Sequence, residues 1–329
     1  MPTNLTILIP TWDRPEEVNQ RLREIDAIWQ GSIDIVIQVN PGRFDASHID
    51  CHLYSGNILV RQNSHNLGPI PNIVYGIVGI RTDWLWILCD DDHVQMDARM
   101  QINEGIRLAE ESQASGILFN QWHRTGEGGA IYSKSIETFL GSTGFSDILF
   151  ITGFVWRFSF FQKNIPTLID YAYSWSSHTL ILIASQVEKS STIVIIDHSL
   201  VHYEYVVRWS RLSYLQRITT IFLHPCMRSG MVRTQLTEIL WPQCRWALLS
   251  AAHEQLKHGN ITMLEWYEVA GSFSLHLLSS SPLSIALRRI VEIFQIPLQI
   301  YPLSYIISLP INKLRMQLFK TFFPRRLSR

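Results

Sequence analysis

The sequence predicts an α/β fold: a mostly parallel, Rossmann-like sheet flanked by helices and followed by a helical C-terminal region. Three observations lead there. Short strand-like segments alternate with segments of helical spacing through the first 112 residues. The strand-like segments are continuous apolar runs, as in parallel sheets covered on both faces. Polar residues gather where those runs end, and ligands of such sheets bind at the carboxyl ends of strands.

The first strand is LTILI, residues 5–9, reaching Pro10 and Thr11. TWDRPEEVNQRLREI follows. Asp13 is placed to cap a helix, Pro15 suits its first turn, and Glu16 stands three residues after Asp13 as in a capping box. Val18, Leu22 and Ile25 recur at helical spacing. IDIVIQV is a second strand closed by the turn Asn40-Pro41-Gly42. NILVRQ, residues 57–62, is a third. After the Asn66-Leu67-Gly68-Pro69 turn, Pro71 to Ile80 read as a helix, Trp84 to Cys89 as a fourth strand, and 96–112 as another helix. Further on, GILFNQW is strand-like, GEGGA a loop, ITGFVWRFSFF an aromatic apolar segment and STIVIIDHSLVHYEYV strand material. From about residue 210, long helical segments are joined by Pro and Gly breaks.

The 329 residues allow one large domain with an extension, or two domains. We divide them into 1–209, with a first half to about 112 and a second half 113–209, and a mainly helical 210–329. Basic and acidic residues balance at 28 each, which gives no sign of nucleic-acid binding. Cys51, Cys89, Cys226 and Cys244 form no CxxC pair, so neither a zinc ribbon nor a disulfide frame is indicated. Reduced thiols in a cytoplasmic protein are the simplest reading. The N-terminal apolar run is too short for a signal peptide.

The most telling stretch is WLWILCDDDH, residues 84–93. Three adjacent carboxylates stay ionised together only beside a cation or strong hydrogen-bond donors. Asp90, Asp91 and Asp92 therefore mark either a metal site or a solvated turn, and Asp also favours helix starts. Thr11, Asn40, Arg61 and this triplet fall at four separate strand ends and form one candidate site.

LTILIPTWDRPEEV, DIVIQVNPG, the NLGPIPN segment (66–72) and WLWILCDDD, in this order, resemble the N-terminal half of a family 2 glycosyltransferase of GT-A fold. The resemblance covers about the first 100 residues and extends more loosely to about 205. It implies a nucleotide-diphosphate-sugar donor, and a DxD-type motif holding Mn²⁺ or Mg²⁺, hard cations suited to oxygen ligands. It places Pro10, Thr11, Asn40, Arg61, Asn66, Asp90 and Asp91 at the donor nucleotide, with Asp90 and Asp92 toward the metal. Two departures stand out. Asn40 replaces the usual base-binding aspartate. No carboxylate begins the segment YAYSWSSHTLILIAS, where the family's inverting members carry their catalytic acid residue. His178, whose pKa range suits a general base, is a candidate there, with Asp170 and Glu204 as competitors; a structural histidine is the alternative. Asp197, His198, His202 and Glu204 alternate along one strand-like stretch, and His202 is a further candidate metal or phosphate contact, against an ordinary strand edge. Trp156 and Trp175 are either sugar-stacking or core residues.

The expected activity is an inverting, metal-dependent hexosyl transfer to a hydroxyl of a cell-surface glycan or lipid-linked acceptor. The alternatives are a non-catalytic nucleotide-sugar or glycan-binding protein, or a nucleotidyl transferase, though no Gly-rich phosphate loop is visible. From residue 283 onward there are eight Lys or Arg and one acid, Glu292, around an uncharged stretch 293–312 interrupted by Pro297, Pro302 and Pro310. This reads either as a segment lying on an anionic membrane surface, at the inner face of the plasma membrane, or as a helical packing or homo-oligomer interface.

Overall fold

The computed structural model describes residues 4–121, 129–174 and 176–203. Trp175, Glu204, most of the GEGGA loop, the helical segments after 210 and the basic C-terminal stretch lie outside the described residues.

In chain order the elements are β1 (Leu5–Trp12), α1 (Pro15–Trp29), β2 (Asp34–Asn40), β3 (Ile58–Gln62), α2 (Pro69–Gly76), β4 (Trp84–Ile87), β5 (Asp92–Val94) and α3 (Ala98–Glu111). Then come β6 (Gly116–Phe119), β7 (Ile131–Ser133), α4 (Ile136–Ser142), α5 (Phe145–Leu149), β8 (Phe154–Arg157), α6 (Phe158–Lys163), α7 (Ile165–Asp170), α8 (Ser177–Val187), β9 (Ile193–Ile196) and β10 (Val201–Tyr203). Eight strands form one sheet in the order β3-β2-β1-β4-β8-β6-β9-β7, and β5 pairs with β10 apart from it. The β1–β2, β2–β3, β1–β4 and β6–β9 pairs are parallel. Antiparallel β8 lies between β4 and β6, and β7 closes the far edge antiparallel to β9.

The apolar runs of β1, β2, β4 and β6 are strands covered on both faces, whereas β3, at the sheet edge, leaves Leu59 exposed. Ile7, Ile9, Ile35, Ile37, Trp86, Leu88, Ile117 and Phe119 share one core with Val18, Leu22, Ile25 and Trp29 of α1 and Ile102 and Ala109 of α3. The alternate residues meet α2 on the other face, where the backbones come close: a Cβ on Gly76 would lie 2.5 Å from Leu8 Cδ1 and 3.1 Å from Gln38 Cβ. Trp156 belongs to this interior. It is fully buried, stacked on Phe154 at 5.1 Å, and so serves as core rather than as a sugar platform.

Two local expectations are corrected. Asp13 does not cap α1; the cap position is Arg14 and no side chain caps it. Asp13 instead adopts the left-handed region (φ 61°) and accepts bonds from the amides of Arg43 and Phe44, tying the loop after β2 to the end of β1. Helix α2 starts at Pro69 and ends at Gly76, earlier than the expected 71–80, because Pro69 is preset for a first helical turn and follows Gly68 at φ 82°.

Candidate active site

Parallel pairing of β1 and β4 sets the site. Leu8 is the register partner of Ile87, so three residues further on Thr11 meets Asp90. Thr11 Oγ1 donates to Asp90 Oδ2 at 2.7 Å in a buried contact. Arg14, at the threshold of α1, donates from Nη1 to Asp90 Oδ1 and to Asp91 Oδ2, both at 2.8 Å. Because β8 runs antiparallel to β4, its amino end lies at the carboxyl end of β4. Thr152 is thereby brought to Asp92, donating from Oγ1 to Oδ2 at 2.5 Å while accepting the amide of Cys89 at 3.2 Å. Asp92 opens β5, and β10 pairs with it through Tyr203.

These carboxyls are not ordinary surface acids. Burial pushes Asp90 up to about 6, against the opposing pull of Arg14 and Thr11. Burial pushes Asp92 up to about 7, with Thr152 opposing and Asp91 and Asp90 adding to the rise. A second cation stands behind them. Arg21 is 1% exposed; it donates from Nη2 to Glu24 Oε1 at 2.9 Å and contacts His93 Nδ1 at 2.7 Å. Burial lowers its pKa, while Glu24 and all three aspartates work against that loss. Glu24 also accepts the Val94 amide, so this buried group holds β5, the strand that begins with Asp92.

The donor set fits a divalent cation. Asp91, Asp92 and Cys89 each offer a ligand atom, all within 4.8 Å of one another. Asp92 Oδ1 carries no hydrogen bond among the described residues, and no cation touches this nearly buried carboxyl directly. Thr152 satisfies only one of the two oxygens of this carboxyl, and a metal ion on the other would offset the cost of its charge. Burial and the neighbouring carboxylates hold the Cys89 thiol well above its usual range.

The other candidates are placed differently. Pro10 and Thr11 end β1 beside the triplet. Asn40 is 2% exposed, and its amide is occupied: Oδ1 accepts from Asn63 Nδ2 and the Leu67 amide, and Nδ2 donates to the Gly68 carbonyl. It holds the turn before α2 against β2. Asn63 extends the network to Asn72 and Gln38. Asn66 accepts the Gly68 amide within that turn, and Arg61 donates to the Val78 carbonyl. His178 begins α8, as expected, but is only 2% exposed. Its Nε2 donates to the Leu149 carbonyl at 3.1 Å and its ring meets Phe154 edge-on. Burial depresses its pKa to about 4. It lies in the interior and is not gathered with the aspartates. Asp170 sits at the exposed end of α7. His202 is exposed and pairs across the small sheet with His93, the residue after Asp92; cross-strand partners share a face, so alternation sets it on the face opposite Asp92. Arg14, Thr152, Arg21 and Glu24 were not singled out in the sequence. Only Arg14 carried a signal there, as a cation among the residues following β1.

No family model matches the sequence, and no curated protein matches it. Solved structures do. S. aureus TarS residues 1–349 aligns with a TM-score of 0.52 at 10% identity, over 88% of this chain and 89% of that one. Its complex with UDP-GlcNAc aligns with a TM-score of 0.53 at 9% identity. The mannosyltransferase PcManGT from Pyrobaculum calidifontis, in complex with GDP-Man and Mn²⁺, aligns with a TM-score of 0.51 at 10% identity, over 91% and 89% of the two chains. At such identities the likeness is one of fold: a mixed, mostly parallel sheet flanked by helices. Among the described residues no helix is long and apolar enough to cross a membrane.

Proposed function

We propose that the chain is a glycosyltransferase that moves a sugar from a nucleotide-diphosphate donor to a hydroxyl of a glycan or lipid-linked acceptor. The observation that carries this reading is the buried pairing of Asp90 with Thr11 and Arg14 at the carboxyl end of the parallel strands. It stands on a fold shared with TarS, known in complex with UDP-GlcNAc, and with a mannosyltransferase bound to GDP-Man and Mn²⁺.

Asp91 and Asp92, with Cys89 beside them, would hold Mn²⁺ or Mg²⁺, which would offset the charge of the donor diphosphate and of the leaving group. The chain's own part is positioning. Thr11 and Arg14 fix Asp90 at the carboxyl end of β4. Thr152 orients Asp92, and the Arg21–Glu24–His93 group anchors the strand behind it. In an inverting transfer the acceptor oxygen bonds to the anomeric carbon as the bond to the diphosphate oxygen breaks. The hydroxyl proton passes to a base, and the nucleoside diphosphate departs. A base must reach that proton, which the buried ring of His178 does not favour; Asp170 and Glu204 carry the role in this reading.

A thermal-shift screen of UDP-, GDP- and dTDP-sugars with and without Mn²⁺, followed by product analysis, tests the proposal. Preferential binding to the folded chain raises its melting temperature. Stabilisation by one donor class, then release of nucleoside diphosphate with an acceptor, is expected. Release of pyrophosphate would instead mark a nucleotidyl transferase. Binding without turnover over a broad acceptor panel would mark a binding protein, the reading that the missing carboxylate at the start of α8 favours. No shift with any donor would refute the donor assignment.

A further inference from the structure

We infer that Arg14 is a donor-diphosphate ligand built into the site, so that nucleotide binding has a component that needs no metal. This rests on the glycosyltransferase reading above. Two cations stand near the aspartates, and they differ in access. Arg21 is sealed at 1% exposure, with its one bonded nitrogen shared between Glu24 and His93, so it cannot reach a ligand. The Arg14 side chain is 20% exposed. Both of its bonds leave from a single nitrogen, Nη1, to Asp90 and Asp91. Nη2 and Nε carry no bond among the described residues. A guanidinium offers five donors in a planar fork that matches phosphate oxygens. Here one prong is fixed by two carboxylates and the other edge is left for an anion.

The arrangement is also preorganised. The two carboxylates restrict a side chain that otherwise has much rotamer freedom to lose on binding. Pro15, at the first position of α1, fixes the backbone next to Arg14. A guanidinium does not lose its proton at working pH, so the group is a permanent charge. A diphosphate approaching three carboxylates meets repulsion, and Arg14 is the cation that the chain itself places at that approach.

Isothermal titration of UDP, GDP and dTDP into the full chain tests this, in EDTA and in Mn²⁺, for wild type, Arg14→Gln and Arg14→Lys. The expected result is measurable nucleotide binding by wild type in EDTA, weakened about tenfold or more in Arg14→Gln, as the loss of a charge-assisted bond implies. The loss in Mn²⁺ should be smaller. Arg14→Lys, which keeps the charge without the fork, should fall between the two and gives the reading if the glutamine variant does not fold. Equal affinity of wild type and a folded variant in EDTA overturns the inference. Binding by wild type only in Mn²⁺ overturns it too, while leaving the glycosyltransferase reading intact. Absence of binding under both conditions removes that reading and the inference together.

Discussion

Replacing His178 with glutamine separates a structural histidine from a catalytic one. Burial holds the ring neutral in the folded chain, with its pKa depressed to about 4 from an ordinary 6.5. The sign follows from linkage. Between those two values the unfolded chain binds a proton that the folded chain does not, so stability falls as pH falls. The protonation penalty of His178 is therefore small above about pH 6.5 and grows down to about pH 4. At about 1.4 kcal/mol per pH unit, going from about pH 7.5 to about pH 4.5 removes about 2.5 kcal/mol through this residue alone. Asp90 and Asp92 titrate with the opposite sign, because their carboxyls are raised. The quantity to read is thus the difference between wild type and variant, not either curve alone. Glutamine carries no charge at any pH and can still donate to the Leu149 carbonyl. Urea unfolding of both proteins at the two pH values should show the variant gaining about 2.5 kcal/mol on wild type at the acid end. Its turnover should stay close to wild type. An acid–alkaline difference near zero, or a loss of turnover of about 10²-fold or more, the scale of a lost general base, would refute the structural assignment.

Three more perturbations probe the site and its frame. Asp92→Asn removes an acid that stabilises only while protonated, a contribution full below 3.8 and gone above about 7. The metal-free variant should therefore melt higher than wild type at alkaline pH, with the gap closing as pH falls, while the Mn²⁺-dependent part of any nucleotide-induced shift disappears. An unchanged metal response removes the role given to Asp92. Thr152→Val keeps the shape but strips both bonds at Oγ1, leaving the buried Cys89 amide unpaired. Chemical unfolding should show a loss of about 1–3 kcal/mol, and a loss well below that range means that another group takes the amide. Gly76→Val places a branched side chain against Leu8 and Gln38, where α2 crosses β1 and β2. Overpacking of about 1–3 kcal/mol is expected, and a neutral result shows that α2 can shift outward.

The parallel half of the fold was legible because its signals are local. β1, β2 and β4 are apolar runs ended by polar residues, and the in-register pairing of β1 with β4 turns two strand ends, Thr11 and Asp90, into neighbours. What failed to show was set by distant partners. β8 could be read as apolar but not as an antiparallel strand inserted between β4 and β6, so nothing pointed to Thr152. β5 exists only because β10 returns to pair with it. Asn40 stands where a base-reading residue was expected, yet its side-chain oxygen is taken by Asn63 and Leu67 and its nitrogen donates to Gly68, a commitment fixed by how the turn folds back. His178 did carry a local warning. SHTLILIAS is apolar on nearly every side, the pattern of a buried helix rather than one offering a base to a cleft.

Charge balance links these pieces into one requirement. Counted as ionised, the triplet and Glu24 carry four negative charges, and Arg14 and Arg21 return two positive ones, leaving two negative charges in the cluster. Burial raises Asp90 to about 6 and Asp92 to about 7, so a proton on either one near neutrality removes part of that excess. A diphosphate brings further negative charge to the same place, and proton uptake alone cannot make the cluster attractive to it. Two devices can: a divalent cation on Asp91 and Asp92, and the part-exposed Arg14 guanidinium, bonded through Nη1 alone among the described residues. Since the cation lowers the cost of bringing the nucleotide, and the nucleotide supplies oxygens to the cation, each must raise the other's affinity by the same factor. Arg14 sets how much of the nucleotide's affinity survives when that partner is absent.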